Sequence, residues 1–189
     1  MARERYGLEP DRPIVLFVGG SLGAARINEL AIGCARDPER SFQVLHLCGR
    51  RYHEEVKAAL EDPEGVCLVD YEDRMGDAYA SSDLVVCRAG SSTLAELTAV
   101  GKASLLVPSP NVTENHQEQN ARGLEDVGAA EVLVEQGWDL DGAVARVRDL
   151  MADAARLEKM GEAAKSQARL DAAQQAADVI EGLLGTRGT

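Results

Sequence analysis

Three segments rich in glycine, hydroxyl or amide groups carry the side chains best suited to chemistry in this chain of 189 residues. Each segment follows a short apolar run and precedes a stretch with helical spacing. In an open sheet of parallel strands, ligands bind beyond the carboxyl ends of the strands, near the first turns of the following helices. The three segments are therefore candidate parts of one ligand site.

The first segment is Gly19-Gly20-Ser21-Leu22-Gly23-Ala24. Glycines let backbone amides approach a ligand closely, and a serine hydroxyl at a helix start suits a phosphate oxygen. The spacing differs from the G-x-G-x-x-G of dinucleotide-binding proteins, and the Gly-Lys-Ser/Thr of a P-loop does not follow. Ser21 therefore either contacts a phosphate or caps the helix after a tight turn.

The second segment contains Arg88, Gly90, Ser91-Ser92-Thr93 and Glu96. Hydroxyls and free amides at a helix start suit an anion or a sugar, and a carboxylate one turn later could accept hydrogen bonds from both ribose hydroxyls. The pattern Thr93-x-x-Glu96 is also a capping box, in which Glu96 bonds back to the helix start. The pattern by itself leaves both interpretations open.

The third segment is a polar loop that runs from Pro108 into a helix start at Asn115-His116-Gln117. Amide side chains both donate and accept hydrogen bonds, as recognition of sugar hydroxyls requires. A solvated loop with Asn115 as the helix N-cap is the alternative. His116 has no carboxylate at triad-like positions, so we assign it a polar contact rather than catalysis.

Six short apolar runs separate stretches with helical spacing. Runs that are apolar at every position predict strands covered on both faces of a parallel sheet. The predicted strands are 14–18, 44–48, 66–69, 84–87, 105–107 and 132–134. Their alternation with helices predicts an α/β fold, a Rossmann-like parallel sheet of about six strands with helices on both faces. From Asp139 onward the pattern predicts helices only.

Composition narrows the class of protein. The net charge of −12 disfavours binding of nucleic acid or anionic lipid. A phosphate ligand would then be held by helix N-termini and backbone amides rather than by clustered Arg and Lys. We predict that the four cysteines, which lack C-x-x-C spacing, are reduced core thiols, and we predict no metal site. Without a long apolar run or a signal peptide, we expect a cytoplasmic protein.

The three segments, in this order, resemble the donor-binding C-terminal half of the MurG family, which are inverting GT-B glycosyltransferases. The similarity rests on residues 19–24, on Asp77-Ala78-Tyr79-Ala80 through Gly90 with Thr93-x-x-Glu96, and on 115–121. Family members add N-acetylglucosamine to a lipid-linked muramyl-pentapeptide in peptidoglycan synthesis. The resemblance covers roughly residues 13–184.

The resemblance implies that the ligand is UDP-N-acetylglucosamine, with no cofactor and no metal. Ser21 would contact the diphosphate, the backbone of Glu72 would read the uracil edge, and Glu96 would bind the ribose diol. Ser91, Ser92 and Thr93 would contact phosphate and sugar, and Gln117 would hold sugar hydroxyls. The supporting loop residues would be Gly19, Gly20, Gly23, Arg88, Gly90, Asn115 and His116.

The resemblance also implies a division of labour. Residues 1–168 would form the nucleotide-sugar-binding domain, with 1–13 as a polar lead, and 169–189 a C-terminal helix and tail. Family members carry an N-terminal domain that binds the lipid-linked acceptor at the inner face of the cell membrane and supplies the base. The glycine-rich, His-containing loop of that domain does not precede Ile14, so we expect no catalytic residue here, and donor binding without transfer.

Two alternatives remain open at this stage. One is half of another lipid- or nucleotide-sugar-directed GT-B enzyme, and the other is a non-catalytic nucleotide-sugar-binding module. In two-domain enzymes of the family that the chain resembles, the last helix packs on the N-terminal domain, so here the apolar stripe within 169–184 would lack its partner. We therefore expect weak self-association through this helix.

Overall fold

A computed structural model describes residues 2–20, 22–61, 63–111, 115–137 and 139–185. The described residues form six strands and nine helices. The strands are β1 (Ile14–Val18), β2 (Gln43–Leu47), β3 (Val66–Val69), β4 (Leu84–Cys87), β5 (Ser104–Leu106) and β6 (Ala130–Val132). The helices are α1 (Ala2–Arg5), α2 (Ala25–Arg36), α3 (His53–Leu60), α4 (Met75–Ser81), α5 (Ser91–Val100), α6 (His116–Asp126), α7 (Leu140–Met151), α8 (Ala154–Ser166) and α9 (Ala172–Gly185).

The six strands form one sheet in the order β3-β2-β1-β4-β5-β6, and every neighbouring pair is parallel. This arrangement confirms the predicted α/β fold class. The strand order reverses between β1 and β4, and the connecting loops diverge there to leave a crevice at the carboxyl ends of the strands. The fold therefore places its natural ligand site beside the loops that follow these central strands.

Strands β2, β5 and β6 begin earlier than the apolar runs predict. Two of them begin at a polar residue, which can open a buried strand when its side chain is hydrogen-bonded. Gln43, the first residue of β2, shows how this happens. Its Nε2 donates to the carbonyl of Glu9 and its Oε1 accepts from the backbone N–H of Glu9, both at 2.9 Å. Hydrophobic spacing alone misses a polar residue that is satisfied in this way.

The core lies on both faces of the sheet, which explains why β1 is apolar at every position. Val15 and Phe17 face a cluster built with α2, α7 and α8. Ile14, Leu16 and Val18 face a second cluster with α4, α5 and α6. Strand β3 is only half-buried because it lies at the sheet edge, so the prediction of full cover was wrong for that strand.

The residues before β1 fold onto the sheet. Tyr6 and Leu8 are buried in the second core cluster. Arg3 donates from Nη2 to both carboxylate oxygens of Asp83, at 3.1 and 2.9 Å. This segment, expected to be a polar lead, is thus packed and paired as part of the domain.

From α7 onward the elements of the described chain are all helices, as predicted for the region after Asp139. The side chains of residues 172–183, in α9, are exposed, among them Ile180 at 57%. Leu170, just before α9, is 75% exposed. The side chain of Leu184, the last residue of the predicted apolar stripe, lies outside the described part of the structure. None of the helices in the described part of the chain is long and apolar enough to span a membrane.

The cysteines are free thiols, as predicted. Cys34, Cys48 and Cys87 are buried, and Cys67 is half-buried. Burial raises the pKa of Cys48 to about 11 and that of Cys87 to about 12, so both thiols stay protonated and unreactive. The described residues contain no His, Cys, Asp and Glu grouping that could hold a metal ion.

Candidate functional site

A pocket opens beyond the carboxyl ends of β1, β2, β3 and β4, at the point where the strand order reverses. Its lining combines residues from the loops after these strands with residues of α4 and α5. The lining residues are Val18, Gly20, Leu47, Gly49, Asp70, Tyr71, Glu72, Met75, Tyr79, Arg88, Thr93 and Glu96. The structure therefore brings together Gly20, Glu72, Arg88, Thr93 and Glu96 from the residues predicted by sequence.

The glycine-rich loop after β1 packs backbone to backbone against the loop after β2. Gly23 has φ 76°, and a Cβ there would lie 2.3 Å from the carbonyl oxygen of Cys48. A Cβ on Gly49 would lie 2.6 Å from the Cα of Gly23. Asn28 steadies this contact, because its Nδ2 donates to the Cys48 carbonyl at 3.1 Å. Glycine is thus required by the approach of the two loops.

Helix α2 starts directly after this loop. Its N-cap is Ala24, whose side chain cannot accept a hydrogen bond from the helix. The first amides of a helix have no partner within the helix, so they remain suited to an anion. Ser21 lies outside the described residues, and its predicted contact with the diphosphate stays a prediction.

The start of α5 decides between the two interpretations of Glu96. Gly90 is the N-cap in an extended conformation, and the helix begins at Ser91. A capping box would need Thr93 at the N-cap, but Thr93 is already inside the helix. Glu96 Oε2 instead accepts a hydrogen bond of 2.8 Å from the hydroxyl of Tyr79 on α4. The capping-box interpretation was wrong because the helix starts earlier than that pattern requires.

Tyr79 is a well-fixed donor to this carboxylate. Its side chain is buried between the sheet and α5, in the second core cluster. Burial, and then the hydrogen bond to Glu96, raise the pKa of Tyr79 far above its ordinary value. The hydroxyl therefore stays protonated and holds Glu96 at the edge of the pocket.

Arginine side chains lie closer to the pocket than the sequence suggests. Arg88 lines it, donates to the carbonyl of Val107 at 3.1 Å and pairs with Glu135. The guanidinium of Arg50 lies 4.4 Å from the ring centroid of Tyr71, another lining residue. Arg88 was predicted from the second segment, and its charge is already paired with Glu135. The expectation that a phosphate would be held without clustered Arg and Lys stays a prediction.

Glu72 has a buried, fully engaged side chain. Its Oε2 accepts from the hydroxyl of Tyr6 at 2.9 Å, and its Oε1 accepts from Arg5 Nη2 at 2.9 Å and from the backbone N–H of Arg74 at 2.7 Å. Burial by itself would raise the pKa of Glu72, but these three donors outweigh it and lower the pKa below its ordinary value. Because the carboxylate is held within the protein, the backbone is the part of Glu72 that remains for a ligand.

The third segment lies outside the pocket. Asn115 is the N-cap of α6, as predicted, but with φ 53° and with its Nδ2 donating to Glu118 Oε2 at 2.6 Å instead of capping. Gln117 Oε1 accepts from the backbone N–H of Ser109 at 3.0 Å. Residues 112–114 of this loop lie outside the described residues. The predicted site residues that are described by the structure but do not line the pocket are Gly19, Gly23, Gly90, Ser91, Ser92, Asn115, His116 and Gln117.

Helix α6 nevertheless starts beside α5. Asn120 Nδ2 donates to the carbonyl of Ala89 at 3.3 Å, just before the α5 start. The start of α6, with its polar residues, therefore lies next to the start of α5, whose residue Thr93 lines the pocket. An extended ligand could reach both.

Residues 14–176 match the glycosyltransferase family 28 C-terminal domain. This chain belongs to that family. The match confirms the resemblance inferred from the three segments.

Relatives of this family 28 domain carry the name UDP-N-acetylglucosamine–N-acetylmuramyl-(pentapeptide) pyrophosphoryl-undecaprenol N-acetylglucosamine transferase. The one from Salinibacter ruber is 44% identical over 184 residues, which are 95% of this chain and 49% of the relative. The one from Geobacter metallireducens is 43% identical over 169 residues, 87% of this chain and 46% of the relative. The chain thus spans about half the length of the curated relatives it matches.

Solved structures share the fold of this chain. The crystal structure of Acinetobacter baumannii MurG superposes with a TM-score of 0.82 at 30% identity, covering 96% of this chain and 52% of that one. The glycosyltransferase VinC, in complex with dTDP, shares the fold with a TM-score of 0.66 at 19% identity, covering 94% of this chain and 43% of VinC.

Several pocket residues of the family 28 domain were missed by the sequence reasoning. Gly49 and Asp70 each follow a strand, and the rule that ligands bind at carboxyl ends of strands would have found both. Tyr79 gave a weaker signal, since it lies on a helix and its role depends on the neighbouring helix α5. Only the packing of α4 against α5 reveals its contact with Glu96.

Proposed function

We propose that this domain binds UDP-N-acetylglucosamine and forms the donor half of an inverting hexosyltransferase of peptidoglycan synthesis. The observation that carries the proposal is the single pocket that joins Gly20, Glu72, Thr93 and Glu96 at the reversal of strand order. The names of the relatives supply the sugar and the acceptor. The geometry of the pocket supports a nucleotide as the ligand.

The diphosphate is assigned to the space between the starts of α2 and α5. Both helices have N-caps without a capping side chain, Ala24 and Gly90, so unpaired backbone N–H groups and the positive ends of two helix dipoles face one region. Arg88, whose guanidinium is paired with Glu135, lines the same pocket. These groups would stabilise the negative charge that develops on departing UDP.

The uridine is assigned to the other side of the pocket. Glu96, held by Tyr79, would accept hydrogen bonds from the ribose diol. The backbone of Glu72 would meet the edge of the uracil, since its side chain is turned into the protein. The N-acetylglucosamine would extend past the start of α5 towards Gln117 on α6.

The reaction would be a single displacement. A hydroxyl of the lipid-linked acceptor attacks the anomeric carbon, the bond to the diphosphate oxygen breaks, and the configuration inverts. The acceptor site and the base would belong to an N-terminal half, for which the relatives have the additional length, and the whole enzyme would act at the inner face of the cell membrane. On its own, this domain would bind donor without transferring it.

Calorimetric titration of the 189-residue chain with UDP-N-acetylglucosamine, UDP-glucose and UDP-galactose tests the proposal. Because a site open on one side buries less of its ligand, we expect a dissociation constant of about 0.1–1 mM for UDP-N-acetylglucosamine. The other two sugars should bind more weakly. Absence of heat at several millimolar UDP would exclude the donor assignment, and preference for UDP-glucose would point to a different GT-B enzyme.

A further inference from the structure

Three donors converge on the carboxylate of Glu72, and two of them come from the segment before β1. Arg5 and Tyr6 lie 67 and 66 positions earlier in the chain, and each reaches Glu72 at 2.9 Å. The third donor is the backbone N–H of Arg74 at 2.7 Å. The Glu72 side chain is only 4% exposed, so its charge is stabilised by these donors rather than by water.

The same segment also holds the start of α4. Arg5 Nη1 donates to Asp77 Oδ2 at 2.7 Å, and Arg74 Nη2 pairs with the same oxygen at 2.7 Å. Arg5 therefore bonds both to Glu72, in the loop between β3 and α4, and to Asp77, in the first turn of α4. Tyr6 anchors that arginine's segment, because its ring is buried in the core.

We propose that Arg5 and Tyr6 are positioning residues for the nucleotide base, acting through Glu72. This inference rests on the proposed function. Asp70, Tyr71 and Glu72 line the pocket, and a backbone that reads a base edge must hold its N–H and C=O groups in place, since hydrogen bonds weaken steeply off their preferred geometry. Fixing the Glu72 side chain fixes that backbone.

The consequence is base selectivity. Uracil presents a carbonyl and an N–H where cytosine presents an amino group and an unprotonated ring nitrogen. A rigid backbone donor and acceptor can tell the two apart, and a loosened one can adjust to either. A purely structural role for Arg5 and Tyr6 would change stability without changing this preference.

The test uses Tyr6→Phe and Arg5→Met in the full chain, with titrations of UDP, CDP and pyrophosphate beside a thermal melt. UDP affinity should fall by about threefold to tenfold, because loosening the Glu72 backbone weakens the hydrogen bonds to the base by about as much as one neutral hydrogen bond contributes. Pyrophosphate affinity should stay unchanged, and the ratio of UDP to CDP affinity should narrow. Tyr6→Phe keeps the buried ring, and Arg5→Met changes a partly exposed side chain, so at least one variant is expected to fold.

Arg3→Met is the matched control. Arg3 lies on the same short helix as Arg5, but it pairs with Asp83, which accepts from the N–H of Ile14 at the opposite end of the sheet. This control should lose some stability and keep the native ratio of UDP to CDP affinity.

The outcomes separate this inference from the proposed function. A native chain that binds no UDP overturns both. A native chain that prefers UDP over CDP, with the same ratio in Tyr6→Phe and Arg5→Met, overturns only the positioning role. Equal binding of UDP and CDP by the native chain also overturns it. A narrowed ratio in both variants, with Arg3→Met unchanged, supports it.

Discussion

At the scale of single residues, the hydrogen bond from Tyr79 explains how the exposed carboxylate of Glu96 is held in one orientation. Tyr79 is 3% exposed, so its hydroxyl is fixed by core packing, and it donates to Glu96 Oε2 at 2.8 Å. A diol that donates two hydrogen bonds is best met by a carboxylate whose orientation is set beforehand. The pair is therefore the part of the pocket best suited to a ribose.

Glu96→Gln should weaken UDP binding by about tenfold or more, because hydrogen bonds to a charged group contribute about 1.5–3 kcal/mol. Binding of pyrophosphate, which has no ribose, should change little. Calorimetric titration of both ligands against one variant measures the difference. Equal losses for UDP and pyrophosphate would contradict a ribose contact.

Tyr79→Phe is the companion variant. It keeps the Glu96 charge and removes only the orienting hydroxyl, so we expect a smaller loss of UDP affinity in the same direction.

At the scale of elements, the site depends on two loops that touch through their backbones. The left-handed φ of Gly23 and its closeness to Cys48 leave no room for a side chain. Asn28 on α2 links the same carbonyl to β2, since its Oδ1 also lies 2.9 Å from His46 Nε2. Burial lowers the pKa of His46 to about 3, so the ring is neutral at this contact.

Gly23→Ala should lower the free energy of unfolding by about 2 kcal/mol or more, since a Cβ is strained at positive φ and meets the Cys48 carbonyl. UDP binding should fall as well, because the start of α2 would shift. Denaturant unfolding and titration measure the two effects.

Gly76→Ala is the control for this change. Gly76 lies within α4, and a Cβ there meets no atom within 4 Å. Alanine in a helix should leave stability unchanged or raise it by up to about 1 kcal/mol. A loss equal to that of Gly23→Ala would show that loop contact is not the cause.

At the scale of the whole molecule, helix α9 presents apolar side chains to solvent. Leu170 is 75% exposed and Ile180 is 57% exposed. Burying one such side chain contributes about 1.5–3 kcal/mol, so several together could hold a weak dimer. Because the chain spans about half the length of its relatives, we expect the exposed apolar side chains of this helix to pack against another protein surface.

We expect the isolated chain to self-associate through α9, and Leu170→Glu with Ile180→Glu to make it monomeric without unfolding the sheet. Sedimentation at several concentrations measures this. Gln174→Glu with Gln175→Glu adds the same two negative charges at exposed polar positions of the same helix and should leave association largely intact. A native chain that is already monomeric, with a double variant that loses several kcal/mol of stability, would mean that α9 belongs to the core of this domain.

The sequence by itself determined the α/β class, the six strands, the helical C-terminal region and the family. Those features follow from local patterns. An unbroken apolar run such as 14–18 is typical of a strand that is covered on both faces of a sheet. The glycines of 19–23 likewise predict that the backbone there lies close to another group. The sequence does not show that this group is the backbone at Cys48.

Only the tertiary structure decided which polar residues meet. Tyr79 and Glu96 lie on different helices. Arg5 and Tyr6 precede β1, whereas Glu72, which they contact, follows β3. Arg88 lines the pocket, whereas Gln117 accepts a hydrogen bond from the backbone of Ser109 in the loop before α6. Such pairs join positions far apart in the chain, and a polar side chain carries no periodic signal of its partner. Strand order and helix packing set these distances, so the chemistry of the pocket emerges only once the sheet is assembled.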